Sequence, residues 1–361
     1  MRHVINALGV LDNPNLQIQP SAGDRQAMAY SSTGQNVDAR SLADARASGL
    51  TAVNLTLGHV AGSAEPFEAT VADIAGWNDC LRRHPEALRP VLSAPDLDAA
   101  CAAGQVGVIY GFQNTEMLGA DLGRIGVFAG LGVRVIQLTY NGRNAVGCGA
   151  TVAQDTGLTP FGAEVVQQLQ AHGVLVDLSH SSERTGLDAL ALAQRPLAIT
   201  HTGCRALADH PRNKSDATLR RLAERGGVVG IYAMPYLREA GQPLAADWIA
   251  HIEHAWQVCG EDHVGLGTDG GTTAIDDMAA YRAQLAAETE LRRAMGIGAP
   301  GEGPDVCLFL PDLCGPTQFT RLAELLASRG HGAARIDKLL GGNFRRVMGE
   351  AWGPVRGERG H

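Results

Sequence analysis

Apolar positions along this chain gather into eight short runs: His3–Val10, Thr51–Leu57, Val106–Phe112, Val133–Tyr140, Val174–His180, Leu197–Thr202, Gly227–Met234 and His263–Asp269. Continuous rather than alternating apolar character marks a strand covered on both faces, the habit of parallel sheets. Between the runs lie stretches with helical spacing. In FGAEVVQQLQA (Phe161–Ala171), Phe161, Val165, Val166 and Leu169 share one face, with Pro160 suited to the first turn and Gly173 to the stop. DATLRRLAE (Asp216–Glu224) reads the same way. Eight strands alternating with helices over about 270 residues predict an α/β fold, a closed (β/α)8 TIM-type barrel. An open doubly wound sheet is the weaker alternative, because no GxGxxG turn follows the first run. A single domain over 1–361 is expected, with the barrel at 3–270. A lid or insertion follows at 271–315, where Gly and Pro cluster in 296–304, and closing helices lie in 316–350, at Thr317–Ala327 and Ala333–Val347.

A barrel changes the meaning of the residues that end each run, since its active site is built at the carboxyl ends of the strands. In order these are Leu8 to Val10, Asn54 to His59, Gln113 and Asn114, Tyr140 and Asn141, His180, His201, Tyr232 and Asp269. VLVDLSH and LAITHT stay largely apolar up to a histidine, so His180 and His201 are expected side by side on consecutive strands. Two neutral imidazoles there are half of a zinc site and point to a metal-dependent hydrolase. A hydrogen-bonded interior histidine is the bland alternative for either one alone. Asp269, in HVGLGTDGG, follows a buried strand directly, and a buried carboxylate there must be paired, metal-bound or a proton carrier, unless it caps the next helix. Arg212, in HPRNKSD, can clamp a carboxylate with two parallel hydrogen bonds or form a surface ion pair. His59 is the next metal candidate, with solvent exposure as its alternative. His172 suits a helix C-terminus, His251 and His254 a packing face, and Glu164 a surface or buttressing place.

Composition narrows the partners. Hydrophobic residues make up 45% and charged residues 19%, the balance of a folded protein. The net charge of −8, from 30 basic and 38 acidic residues, argues against nucleic acid or an anionic membrane surface. MRHVINALGV is too short and broken for a signal peptide, and no run of eighteen apolar residues occurs. Seven scattered cysteines without a CxxC suggest reduced thiols and a cytoplasmic location.

Three long segments carry a resemblance: GLTPFGAEVVQQLQAHGVLVDLSHSSERT, PLAITHTGCRALADHPRNKSDATLRRLAERGGVVGIY and DHVGLGTDGG. Together they resemble the membrane (renal) dipeptidase family, peptidase family M19, among the amidohydrolase-like barrels. The resemblance runs from about Val4 to Val347 and implies a dipeptidase-like hydrolase. It also implies a two-zinc site held by a His-x-Asp pair, two strand-end histidines and a bridging glutamate, and often a homodimer. Its histidines fall on His180 and His201, its acid/base aspartate on Asp269 and its carboxylate-gripping arginine on Arg212. The His-x-Asp positions fall on Leu8 and Val10, the bridging glutamate on Gln113 (a weak metal candidate at best), and a further histidine on Tyr140.

Those replacements bear on the chemistry. Two zinc ions bring four positive charges that carboxylates must offset in a partly dehydrated pocket. With a neutral amide in the bridge position, one zinc ion or none is expected. One ion could sit on His180, His201 and Asp269, with Glu116 or Asp12 as a replacement carboxylate. A metal-free site would leave Tyr140, His180, His201 and Asp269 to do acid/base chemistry on an amino-acid-derived metabolite, or simply to bind it. The expected partner in either case is a small amide or dipeptide with a carboxylate, with Arg212, Asn114, Asn141 and Tyr232 as binding residues and Asp269 and Tyr140 as catalytic ones.

Overall fold

The computed structural model describes residues 2–16 and 34–353. Nine strands occur among the described residues: β1 (Ile5–Gly9), β2 (Ala52–Thr56), β3 (Leu88–Pro90), β4 (Val106–Phe112), β5 (Val133–Gln137), β6 (Leu175–Asp177), β7 (Ala198–Thr202), β8 (Val228–Ile231) and β9 (Val264–Leu266). Their pairing order is β2-β1-β9-β8-β7-β6-β5-β4-β3, and β2 also pairs with β4 over Ala52–Thr56. Eight parallel strands therefore close into a (β/α)8 barrel, with β3 attached outside the ring at the edge of β4. β3 is the strand missing from the hydrophobic pattern. It has three residues, of which only Leu88 is buried, so it presents no apolar run.

The strands exclude water on both faces: every residue of β1, β4, β6, β7, β8 and β9 is buried. One cluster joins Ile5, Ala52, Ile109, Val135, Leu175, Ala198 and Val228, one residue from each of seven strands, to Phe344. Side chains from seven strands of a ring can meet only on its axis, so this cluster is the barrel floor. Phe344 belongs to the helix Asn343–Trp352, and a Cβ on Gly265 would lie 2.5 Å from its ring. That glycine gives the plug its room.

The closing segment Ala333–Val347 is one helix by periodicity, but the structure breaks it into Ala333–Asp337, a π-turn at Lys338–Gly342 and Asn343–Trp352. Within the π-turn Gly341 packs so closely on His3 that a Cβ would meet its carbonyl oxygen at 2.7 Å. Past β9, the segment 271–315 contains the helix α1 (Met278–Ala294), followed by a loop that returns over the carboxyl ends of the strands.

Candidate active site

At those carboxyl ends opens a cavity of about 1050 Å³, lined by Val10, Asp12, Gln113, Tyr140, Asn141, His180, Arg212 and Asp269 among others. Each of the two histidines is held in one tautomer. His180 Nδ1 lies 2.7 Å from Asn141 Oδ1, an oxygen that can only accept, so the ring donates there. His201 Nδ1 lies 2.9 Å from Thr200 Oγ1, whose own proton goes to Asp177 Oδ2 at 2.5 Å. A hydroxyl has one proton, so this ring must donate as well. Both Nε2 atoms are therefore bare, and both are buried without a hydrogen-bond partner. Burial, with Arg212 as the next cause, pushes both imidazoles well below the usual histidine range, so they stay neutral. The ring centroids are 5.0 Å apart.

Asp177, buried at the end of β6, fixes this arrangement. Its Oδ1 accepts from Ser179 N, Ser179 Oγ and Thr200 N, and its Oδ2 from Thr200 Oγ1. Tyr140 stacks on His180 with centroids 4.1 Å apart, and burial raises its phenol well above the ordinary value. Arg212 is 2% exposed, and its Nη1 has no hydrogen-bond partner. Its loop is pinned on both sides: Asn213 Nδ2 donates to Ala208 O and Tyr236 O, and Lys214 Nζ donates to Ser181 O. Lys214 is buried beside Arg212, and desolvation and that neighbour lower its pKa to about 7.

Among the described residues Asp269 is the one non-glycine with positive φ, at 59°. Aspartate tolerates the left-handed region better than most residues, and strain of this kind concentrates at functional sites. Desolvation raises its pKa to about 7; Arg212 opposes the shift and Glu302 adds to it.

Two expected binding residues are elsewhere. Asn114 is buried, donating to Val60 O and accepting from Thr115 N and Asn144 Nδ2. Tyr232 is fully buried and its hydroxyl donates to Asn213 Oδ1. Their hydrogen bonds are spent on holding loops, and neither lines the cavity. Asn141 does line it and also donates to Ile297 O at 2.8 Å. Gln113 reaches the wall, its Nε2 donating to Thr56 Oγ1 at 2.6 Å. His59 is 2% exposed rather than solvated, with Nδ1 3.5 Å from Glu116 Oε2, and neither residue lines the cavity. His251 is a packing residue whose Nδ1 accepts from Cys204 N. Leu8 is buried and contributes its carbonyl to Asp269 N, whereas Val10 is 41% exposed.

Sequence reasoning missed the contribution of the segment past β9. Arg292 of α1 makes two bonds to Glu302, at 2.7 and 2.6 Å, and donates to the Tyr140 hydroxyl at 3.2 Å. Tyr236 donates to Glu302 at 2.7 Å. These residues stand far apart in the chain and carry no shared motif. Asp177, by contrast, stands inside VLVDLSH, and a charge placed within an apolar run was the available signal, whereas Lys214, in the polar HPRNKS, offered none.

The match to protein families is to the membrane dipeptidase (peptidase family M19) model, over residues 25–296. An uncharacterized dipeptidase of Schizosaccharomyces pombe is 33% identical over 190 residues, 49% of this chain and 46% of that protein, so the alignment spans less than half of that relative. An uncharacterized protein in the pqqA 5' region of Klebsiella pneumoniae is 29% identical over 303 residues, 80% of this chain and 98% of that one. Among solved structures, an amidohydrolase from Pseudomonas aeruginosa superposes with a TM-score of 0.77 at 29% identity, over 97% of each chain.

Proposed function

The chain belongs to the membrane dipeptidase family, peptidase family M19, and from that premise we propose that it hydrolyses a small, carboxylate-bearing amide of the dipeptide type. One observation carries the reading: His180, which lines the cavity with Arg212, and His201, packed beside it, are neutral imidazoles with bare, buried Nε2 atoms, and the buried guanidinium has an unpartnered Nη1. Arg212 binds the substrate carboxylate through parallel hydrogen bonds, with no competing partner to displace at Nη1. Asp269, titrating near neutrality, takes a proton from the attacking water and returns it to the leaving amine. Tyr140, stacked on His180 and protonated throughout the working range, lines the cavity as a neutral phenol rather than a base.

A metal is implied by the family, and the donor set decides how much of one fits. The two-ion centre does not: Leu8, Val10 and Gln113 stand at three of its ligand positions, and no three His, Cys, Asp or Glu side chains converge among the described residues. A single borderline divalent ion fits the two orphaned nitrogens, and His180 and His201 would hold it. When bound, such an ion polarises a carbonyl and makes water acidic. A metal-free reading has its own support, since Arg212 and Lys214 both place positive charge near the imidazoles and oppose a dication there. In it the bare Nε2 atoms of His180 and His201 accept hydrogen bonds from an amino-acid-derived ligand directly.

The test is metal content by mass spectrometry on protein purified without chelators and then offered zinc, beside a His180→Ala, His201→Ala double variant. One zinc per chain, absent from the variant, is the expected result for the hydrolase with a bound ion. Two ions would contradict the account of the first and third strand positions. None in either protein would remove the metal and leave the acid/base or binding reading.

A further inference from the structure

At the end of β1 the cavity wall is apolar where a dipeptidase of this family would need a metal ligand, and the change is a construction rather than a gap. Val10 lines the cavity with 41% of its surface open, although nearly every other residue of this strand end is buried. It is held in place: its N–H donates to Gly270 O, and its side chain packs so tightly on Gly271 that a Cβ there would come within 3.2 Å. Leu11, Leu55 and Trp77 line the same cavity, and β2 brings Leu55 against Gly9 in register. The ionisable group of this rim is Asp12, with Asp73 behind it. Both carboxyl groups line the cavity, and burial, with the Asp73 charge as a second cause, raises Asp12 to about 7.

Place in the ring gives this wall its meaning. In the closed order β1-β2-β4-β5-β6-β7-β8-β9, β1 stands four strands from β6 in either direction. Val10 therefore faces His180 across the barrel mouth, on the far side from the Arg212 loop. A ligand whose carboxylate sits on Arg212 and whose amide reaches His180 projects its other end toward Val10. We infer that the β1 corner is an apolar subsite for the acyl side of the substrate, so that the protein takes carboxylate-bearing amides whose acyl group is a hydrocarbon chain. This rests on the carboxylate assignment of Arg212 made above. Exposed apolar surface at the end of a cavity with a polar floor is what such a group displaces water from.

N-acylglycines with acetyl, butanoyl and hexanoyl groups, titrated calorimetrically into the full chain, test it. Kd is expected to fall about fourfold for each added methylene, as full burial of each group requires. Val10→Asp is expected to flatten that dependence, and the isosteric Val10→Thr, which keeps the shape of the wall, to lessen it. Affinity independent of acyl length in the native protein would overturn the subsite, as would a dependence unchanged by Val10→Asp. So would the absence of hexanoylglycine binding at millimolar concentration. Failure of the underlying reading shows separately, as N-acetylglycine affinity indifferent to Arg212→Met.

Discussion

Replacing Asp177 by asparagine should reverse the tautomer of a histidine it never touches. Asp177 Oδ1 receives two backbone N–H groups, from Ser179 and Thr200, so the amide oxygen of an asparagine must take that place. Its NH2 then falls where Oδ2 was, against Thr200 Oγ1. Two donors cannot face each other, so the Thr200 hydroxyl turns its proton toward His201 Nδ1 at 2.9 Å, an imidazole nitrogen being a stronger acceptor than the Ser179 hydroxyl at 3.0 Å. In the native protein the same turn would forfeit a hydrogen bond to an ionised carboxylate, which costs about 1.5–3 kcal/mol. That holds His201 in its Nδ1–H form by a factor of roughly 10 to 150. In the variant the bias changes sign, Nε2 carries the proton, and the bare nitrogen of His201 is lost. Long-range nitrogen–proton correlation spectra of the imidazoles read this directly, with the His201→Ala spectrum to assign the signals. The expected result is Nε2 of His201 changing from an acceptor-type to a donor-type nitrogen, with zinc affinity lower by roughly 10- to 100-fold if an ion is held there. An unchanged tautomer in folded Asp177→Asn protein would refute the relay.

Four further outcomes follow from the same structure. Because Asp269 is raised to about 7, its carboxylate is available only above that pH, so kcat/KM should climb through neutrality and level off above it. Asp269→Asn should abolish the reaction, while Asp12→Asn, which removes the other carboxyl titrating there, should leave the limb in place. The folded state also holds the Asp269 proton between pH 4 and 7 while the unfolded chain releases it, so stability falls across that window, and Asp269→Asn should gain on the order of 2 kcal/mol at pH 8, read by urea unfolding. Glu302→Ala leaves Arg292 and Tyr236 without their buried acceptor and should cost about 3 kcal/mol and raise KM; an Arg292→Met, Glu302→Leu double variant should recover most of the stability but not the KM. Phe344→Ala should cost about 3–5 kcal/mol, and an unchanged melting temperature would refute its role as the floor of the barrel.

The fold was legible because burial on both faces writes itself into sequence as unbroken apolar runs, and all eight barrel strands carry such a run. β3 was not, because Leu-Arg-Pro at the outer edge buries one side chain and leaves no pattern. The histidines were legible for the same reason as the strands: a polar ring that ends an apolar run sits where the barrel opens, and two of them on neighbouring strands must meet there. Tyr232 and Asn114 occupy strand ends too, yet their polar atoms turn to neighbouring loops, and the direction of a side chain is not encoded in its position along a run. The Arg292–Glu302 pair was invisible because its meaning depends on where a returning loop comes to rest.

The floor of the barrel has a consequence for how the chain comes into being. Its axial layer begins with Ile5, Ala52 and Ile109, which leave the ribosome early, and is completed by Phe344, Val347 and Ala351, which leave it much later. Until the final helix emerges, a nascent barrel carries an open hydrophobic well at its base, and β1 waits for β9, some 260 residues behind it, before the ring can close. Such a chain cannot mature piece by piece during translation, and a species stalled before residue 344 exposes the surface that holdase chaperones recognise.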